Sequence, residues 1–198
     1  MFKSIFSFFM SLIISLCVAL DIPCYPMGEK LDLDKFDLTF EDNFEGELDR
    51  SVWSGHYQYG NTTVSRKGSY WNQYLAETKE GNLVIPVVYL EEGMGGEGAG
   101  WYSAGVDTDA DAQNGFSQKF GYFECRCILP KGSDIWSAFW LMNSGVFDED
   151  GSGRDGTEID IFESDCYGDF MENAVTSNLH FDGYGDAQQK HGATKFLL

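Results

Sequence analysis

The sequence has 198 residues, a length that suits one domain with a sizeable core. Its 32 acidic residues outnumber 13 basic ones for a net charge of −19, which disfavours nucleic acid and anionic membrane as partners and is compatible with a neutral substrate. Aromatic residues make up 16% of the chain and glycine occurs 23 times, as expected for many short strands joined by tight turns with rings left over for a binding surface.

The N-terminus reads as a signal peptide over residues 1–19. Lys3 supplies the positive start, residues 5–16 the apolar run, and Cys17-Val18-Ala19 a small-residue cleavage site. An uncleaved anchor is the alternative, but the run is short for a span. The protein is therefore expected to be exported, with residues 20–198 as its folded part, no stable membrane insertion after cleavage, and a monomeric state. Beyond the signal stand Cys24, Cys125, Cys127 and Cys166, an even number in an exported chain. Cys125 and Cys127 would share one face of a strand, so each is expected to bond Cys24 or Cys166, in an order the sequence leaves open; four free thiols are the alternative.

No long amphipathic helix follows. Short β-rich runs recur instead. Residues 83–90 follow the turn Glu80-Gly81-Asn82, and residues 121–129 alternate up to Pro130-Lys131-Gly132. Residues 137–142 are almost wholly apolar, as in a strand buried on both faces, and residues 157–163 and 178–181 are further strands. This regular pattern predicts an all-β sandwich. Two acidic, glycine-rich loops interrupt it, at residues 91–100 and 147–156. In the second, Asp148, Asp150, Ser152 and Gly153 have calcium-loop spacing, but Ile159 stands where the bidentate Glu belongs. It reads as a solvated loop first and as a structural calcium site second. No other metal and no required cofactor is expected.

The chemistry is carried by Gly156-Thr157-Glu158-Ile159-Asp160-Ile161-Phe162-Glu163-Ser164. Glu158 and Asp160 point to one face of a regular strand and Glu163 to the other. One extra residue, a β-bulge at Ile161-Phe162, would return Glu163 to the face of Glu158. Two carboxyl groups in different protonation states are what glycoside hydrolysis needs, and a retaining site holds them roughly 5–5.5 Å apart. On that reading Glu158 is the nucleophile and Glu163 the acid/base. Asp160 lies between them, its charge or a shared proton keeping the acid protonated. The spacing of acids alone is common in so acidic a chain, and a solvated acidic edge is the alternative. The large apolar Ile159, Ile161 and Phe162 argue that the other face of this strand is core.

The surroundings add more. Phe120-Gly121-Tyr122-Phe123-Glu124-Cys125-Arg126, Leu129-Pro130-Lys131-Gly132, Trp136-Ser137-Ala138-Phe139-Trp140-Leu141-Met142 and the carboxylate strand follow in that order. Together with Phe40-Glu41-Asp42-Asn43-Phe44 and Trp53 near the N-terminus, they resemble the laminarinase-like branch of glycoside hydrolase family 16. The resemblance implies a β-jelly-roll (concanavalin-like) sandwich with a cleft across its concave sheet, a retaining mechanism and the roles just assigned. It implies a polysaccharide substrate, with β-1,3-glucan or mixed-linkage β-1,3-1,4-glucan the closest fit. The alternatives are a cell-wall glucan transglycosylase and a non-catalytic glycan-binding sandwich that has lost at least one Glu. Trp136, Trp140 and Trp71 (with Arg66 nearby) are candidates for stacking on sugars, and His180 for contact with Glu163 or a sugar hydroxyl. Structural packing is the alternative for each. In the family the carboxylate strand lies near mid-chain, whereas 35 residues follow Glu163 here, so residues 20–198 are expected to lack C-terminal strands of the sandwich and to leave neighbouring strand edges open.

Overall fold

The computed structural model describes residues 31–55, 69–108, 114–130, 135–164 and 174–197. The expected signal peptide, Cys24, Arg66 and Cys166 lie outside the described residues. Regular structure is almost entirely β, with 3-10 turns at Leu33–Lys35, Gln73–Leu75 and Ser144–Phe147. Among the described residues no helix is long and apolar enough to cross a membrane. The chain falls into two units, residues 1–122 and 123–198.

The first unit carries β1 (Ser69–Trp71), β2 (Glu77–Thr78), β3 (Leu83–Val84), β4 (Val88–Leu90) and β5 (Gly100–Ser103). Its main sheet has the order β1-β5-β4, with β1 parallel and β4 antiparallel to β5. The run 83–90 is therefore two strands. Pro86 interrupts it, because its ring removes the N–H a ladder needs. Between β2 and β3, Lys79 and Asn82 exchange both backbone hydrogen bonds around Glu80 and Gly81, at φ 52° and 69°. Two left-handed residues in a two-residue loop give the I′ geometry that matches strand twist. Tyr102 anchors the core. It is 1% exposed, stacks on Tyr70 at 4.9 Å, donates its hydroxyl proton to the Gly98 carbonyl and accepts from the Met94 N–H. A second aromatic group joins Phe40, Phe44, Phe116 and Trp53, whose indole N–H donates to Asp42. Residues 40–44, whose sequence resembles an opening strand, are irregular, with Phe44 in the left-handed region at φ 56°.

The second unit is one antiparallel sheet in the order β6-β7-β8-β9: β6 (Ala138–Leu141), β7 (Glu158–Glu163), β8 (Ala174–Phe181) and β9 (Gln189–Leu197). The expected strands at 137–142, 157–163 and 178–181 are all present, the last extended towards its N-terminus. Between β6 and β7 the chain makes the Ser144–Phe147 turn, capped by the Asn143 side chain and pinned by the fully buried Val146.

Two expectations need correction. Residues 121–129 are not a strand: Gly121 stands at φ 145°, the segment finds no ladder partner among the described residues, and Ile128 is 99% exposed. The face of β7 opposite Asp160 is also not core. Ile159 is 38% exposed and its cross-strand partner Leu179 is 40% exposed, so this part of the face is left open. β6 is likewise exposed to half-buried along its length rather than buried on both faces.

Cys125 and Cys127 lie on the irregular segment as exposed free thiols, and their expected partners Cys24 and Cys166 lie outside the described residues. Partial burial, then the charge and hydrogen bond of Cys127, push the Cys125 thiol above the ordinary thiol range. A raised pKa means less thiolate at any given pH, and thiolate is the reactive form. Alkylation of Cys125, followed by peptide mass spectrometry against pH, should show its midpoint above that of an ordinary thiol. C127A should move the midpoint down, and an unmoved midpoint would show that Cys127 does not act on Cys125.

Candidate active site

The site is set by register. On β8, Thr176, Asn178 and His180 share one face because side chains alternate. Glu158 pairs with His180, and Asp160 with Asn178. The next pair is Glu163 with Thr176, so three residue steps on β7 match two on β8. The extra residue falls at Ile161-Phe162, where the sequence predicts the bulge, and Glu163 returns to the face of Glu158 and Asp160. On the other side of β7 the same irregularity pairs Phe139 with Phe162 and Trp140 with Asp160, so Trp140 lies on the carboxylate face.

This face is polar and partly buried. Of six buried polar side chains among the described residues, Asp160, Thr176 and Asn178 belong to it, and Asp182 follows directly after β8. Burying such groups is costly unless each is bonded, so the pairings show what holds the site. The Glu158 Oε2 atom accepts a hydrogen bond from the Tyr184 hydroxyl. Tyr184 is in turn set by the edge of the Phe147 ring at 5.6 Å. Asp160, 3% exposed, places Oδ2 3.2 Å from His180 Nε2. Gln188 Nε2 lies 3.2 Å from His180 Nδ1. An amide N–H given to Nδ1 leaves the ring proton on Nε2, the nitrogen that faces Asp160. One oxygen each of Glu158 and Asp160 and a ring nitrogen of His180 lie within 4.8 Å of one another.

Glu163 is held from two sides. Trp136 Nε1 donates to Oε1 and Asn178 Nδ2 donates to Oε2, both at 2.9 Å. Asn178 also reaches the Thr176 hydroxyl at 3.3 Å. Trp136 is brought there by the residue after Glu163. The Ser164 N–H donates to the Ser137 carbonyl, and its hydroxyl accepts from the Ser137 N–H and donates to the Ile135 carbonyl. The end of β7 is thus clipped to the segment entering β6.

The three carboxylates, Trp136, Trp140 and His180 therefore come together. His180 meets Asp160 rather than Glu163, because His180 is paired with Glu158 at the far end of β7, whereas Glu163 stands opposite Thr176 and meets Asn178. Trp136, 42% exposed, holds Glu163 through its indole nitrogen and keeps part of its ring open. Trp71 lies half-buried on β1 of the first unit. Sequence reasoning passed over Asn178, Tyr184 and Gln188. Asn178 was within reach of it, as the residue two before His180 on the same strand face. Tyr184 and Gln188 lie past the strand, where no periodicity applies.

The chain is similar to several known proteins. The chain is 28% identical over 161 residues to the glucan endo-1,3-beta-glucosidase of Cryptopygus antarcticus, covering 75% of this chain and 52% of that protein. It is 27% identical over 172 residues to the endo-1,3-1,4-beta-glycanase ExsH of Rhizobium meliloti (strain 1021), covering 77% of this chain and 35% of that protein. The crystal structure of the laminarinase catalytic domain of Thermotoga maritima MSB8 superposes with a TM-score of 0.54 at 24% identity, over 82% of this chain and 62% of that one. That likeness bears out the expected all-β jelly-roll fold. The chain thus spans about half the length of the first of these relatives and about a third of the second. The model of glycosyl hydrolases family 16 matches residues 71–196, a stretch that takes in all three carboxylates, and the chain belongs to that family.

Proposed function

We propose that the protein is a secreted, retaining endo-glycosidase acting on β-1,3-glucan or mixed-linkage β-1,3-1,4-glucan. The observation that carries this reading is the bulge in β7, which sets Glu158 and Glu163 on one face with each carboxylate already oriented by a donor. Support for the substrate comes from the similar proteins, which are named as a 1,3-glucosidase and a 1,3-1,4-glycanase. The negative charge is compatible with a neutral glucan. Export rests on residues 1–19.

In the first step Glu158 attacks the anomeric carbon while Glu163 gives its proton to the departing glycosidic oxygen. A C–O bond forms to Glu158, the bond to the leaving sugar breaks, and the configuration inverts. In the second step Glu163, now a carboxylate, takes a proton from water, whose oxygen displaces Glu158 and inverts the carbon again. The Tyr184 hydroxyl fixes one oxygen of Glu158, leaving the other to attack. Asp160, with the neutral His180 behind it, supplies a buried negative charge beside the oxocarbenium-like transition state. Trp140 and the open part of Trp136 offer ring surface for sugar C–H faces.

The test is digestion of laminarin, lichenan, agarose and κ-carrageenan, with products followed by size. Oligosaccharides from laminarin or lichenan alone are expected, and release from the galactans alone would overturn the reading. Two variants probe the supporting shell. Asp160→Asn keeps the shape but removes the charge, and should lower kcat by about tenfold or more while displacing the pH–rate profile. An unchanged profile would show that Asp160 is only a structural partner of His180. Tyr184→Phe should lower kcat by roughly threefold to tenfold with little change in KM, the effect of losing one hydrogen bond to a charged group. A loss confined to KM would assign Tyr184 to substrate binding instead.

A further inference from the structure

Glu158, Asp160 and His180 converge more closely than the two-step chemistry requires. One oxygen of each carboxylate and one ring nitrogen of His180 all lie within 4.8 Å of one another. Asp160 Oδ2 and His180 Nε2 are 3.2 Å apart. Register explains the convergence: His180 stands directly opposite Glu158, and Asp160 follows two residues later on the same face of β7. Asp160 is buried, whereas Glu158 and His180 are half-buried, so the group has a fixed base and two members that solvent reaches.

Two carboxylates and one imidazole are the donor set of a borderline cation. Calcium and magnesium take oxygen ligands, whereas imidazole suits zinc and copper. Two ligands about 2.0–2.1 Å from a tetrahedral zinc stand roughly 3.3 Å apart; around a square-planar copper with the same bonds they stand roughly 2.9 Å apart. The separation of Asp160 and His180 matches the tetrahedral case. Outer supports are also in place. Gln188 Nε2 lies 3.2 Å from His180 Nδ1, and the Tyr184 hydroxyl holds one oxygen of Glu158. A metal on Nε2 requires the ring proton to sit on Nδ1 instead. The Gln188 amide, turned over, then accepts that proton's hydrogen bond with its oxygen, so the ring stays neutral and no proton is lost from it.

We propose that Glu158, Asp160 and His180 form an inhibitory zinc site, with water as the fourth ligand and Gln188 orienting the imidazole. The ion is an inhibitor and not a cofactor. It takes up the Glu158 carboxylate that must attack the anomeric carbon, and it cancels the Asp160 charge beside the transition state. Glu158, half-buried, supplies the small adjustment that closes three ligands spread over 4.8 Å onto one ion. The inhibition rests on the glycosidase reading, whereas the zinc site itself does not.

The test is calorimetric titration of the full chain with zinc chloride, alongside laminarin hydrolysis at the same zinc concentrations. The thiols are first alkylated with iodoacetamide, so that the exposed Cys125 and Cys127 cannot take the metal. One zinc per chain is expected, and calcium or magnesium in about a hundredfold excess should not displace it. H180A and E158A should each weaken zinc binding about tenfold or more, and Q188A by about 10- to 100-fold through the imidazole. Metal-free thermal melts show whether each variant folds, and E158A, which removes a half-buried group, tests the site even where H180A does not fold. Hydrolysis should fall in step with zinc occupancy and return on addition of EDTA. Absence of saturable zinc binding, displacement by calcium or magnesium, or parent affinity in E158A or folded H180A would overturn the site, whether or not the chain cleaves laminarin. Undiminished hydrolysis by the zinc-saturated protein would overturn the inhibition. Zinc binding that responds to the variants as expected, in a chain that never cleaves glucan, would bear out the site and contradict the glycosidase reading alone.

Discussion

Replacing Glu158 by alanine should reduce hydrolysis of glucan by roughly 10⁴- to 10⁶-fold, the range in which removal of a covalent nucleophile falls. The loss is large because no other group takes the place of Glu158. Asp160 is buried and engaged with His180, and Glu163 is held by Trp136 and Asn178. Azide should restore turnover of an activated aryl β-glycoside, because the shortened side chain leaves room for a small anion on the same side of the sugar. With Glu158 absent there is one displacement instead of two, so the product should be the α-glycosyl azide. Near-normal activity of the variant, or a rescued product of β configuration, would remove Glu158 from the nucleophile's role. Thermal melts of parent and variant keep a folding defect from being read as a chemical one. Tyr184 would lose its acceptor, a change of only about 1–3 kcal/mol at a half-exposed site.

The second large effect belongs to Glu163→Gln. Glutamine keeps the shape, and its one amide oxygen can still accept from Trp136 or from Asn178 but not from both as they stand; it has no proton to give and cannot take one from water. Glucan, with a poor sugar leaving group, should lose about 10²- to 10⁴-fold in kcat/KM, the usual contribution of a placed acid or base. An aryl glycoside whose phenolate leaves unaided should lose far less in its first step, so the glycosyl-enzyme should accumulate and give a burst of phenol. Equal losses on both substrates, without a burst, would assign Glu163 a structural role.

How much of this was legible in the sequence depended on whether local pattern or long-range pairing decided the outcome. The carboxylate strand was legible because its period is visible in Glu158-Ile159-Asp160, and the break of period before Glu163 locates the bulge. The hairpin turn at Glu80-Gly81 was legible for a similar reason, since the glycine marks a left-handed backbone. Burial was less so. Ile159 and Leu179 have the composition of a core, but a face becomes core only when another layer covers it, and hydrophobicity does not say which segment that is. Residues 121–129 show the same limit. Their alternation suits a strand, yet a strand exists only where a partner accepts its ladder bonds. His180 was found from its strand, but its partner followed from register. Register pairs His180 with Glu158, beside Asp160, and leaves Glu163 opposite Thr176, where it meets Asn178.

Double displacement at one face of β7 is reported directly by the anomeric configuration of the first-formed product. Proton NMR of a laminarin or lichenan digest, recorded before mutarotation equilibrates the new reducing ends, should show the β-anomer appearing first and the α-anomer rising only later. Initial appearance of the α-anomer would mean a single displacement by water, and Glu158 and Glu163 could not then act as the nucleophile and acid/base pair proposed here.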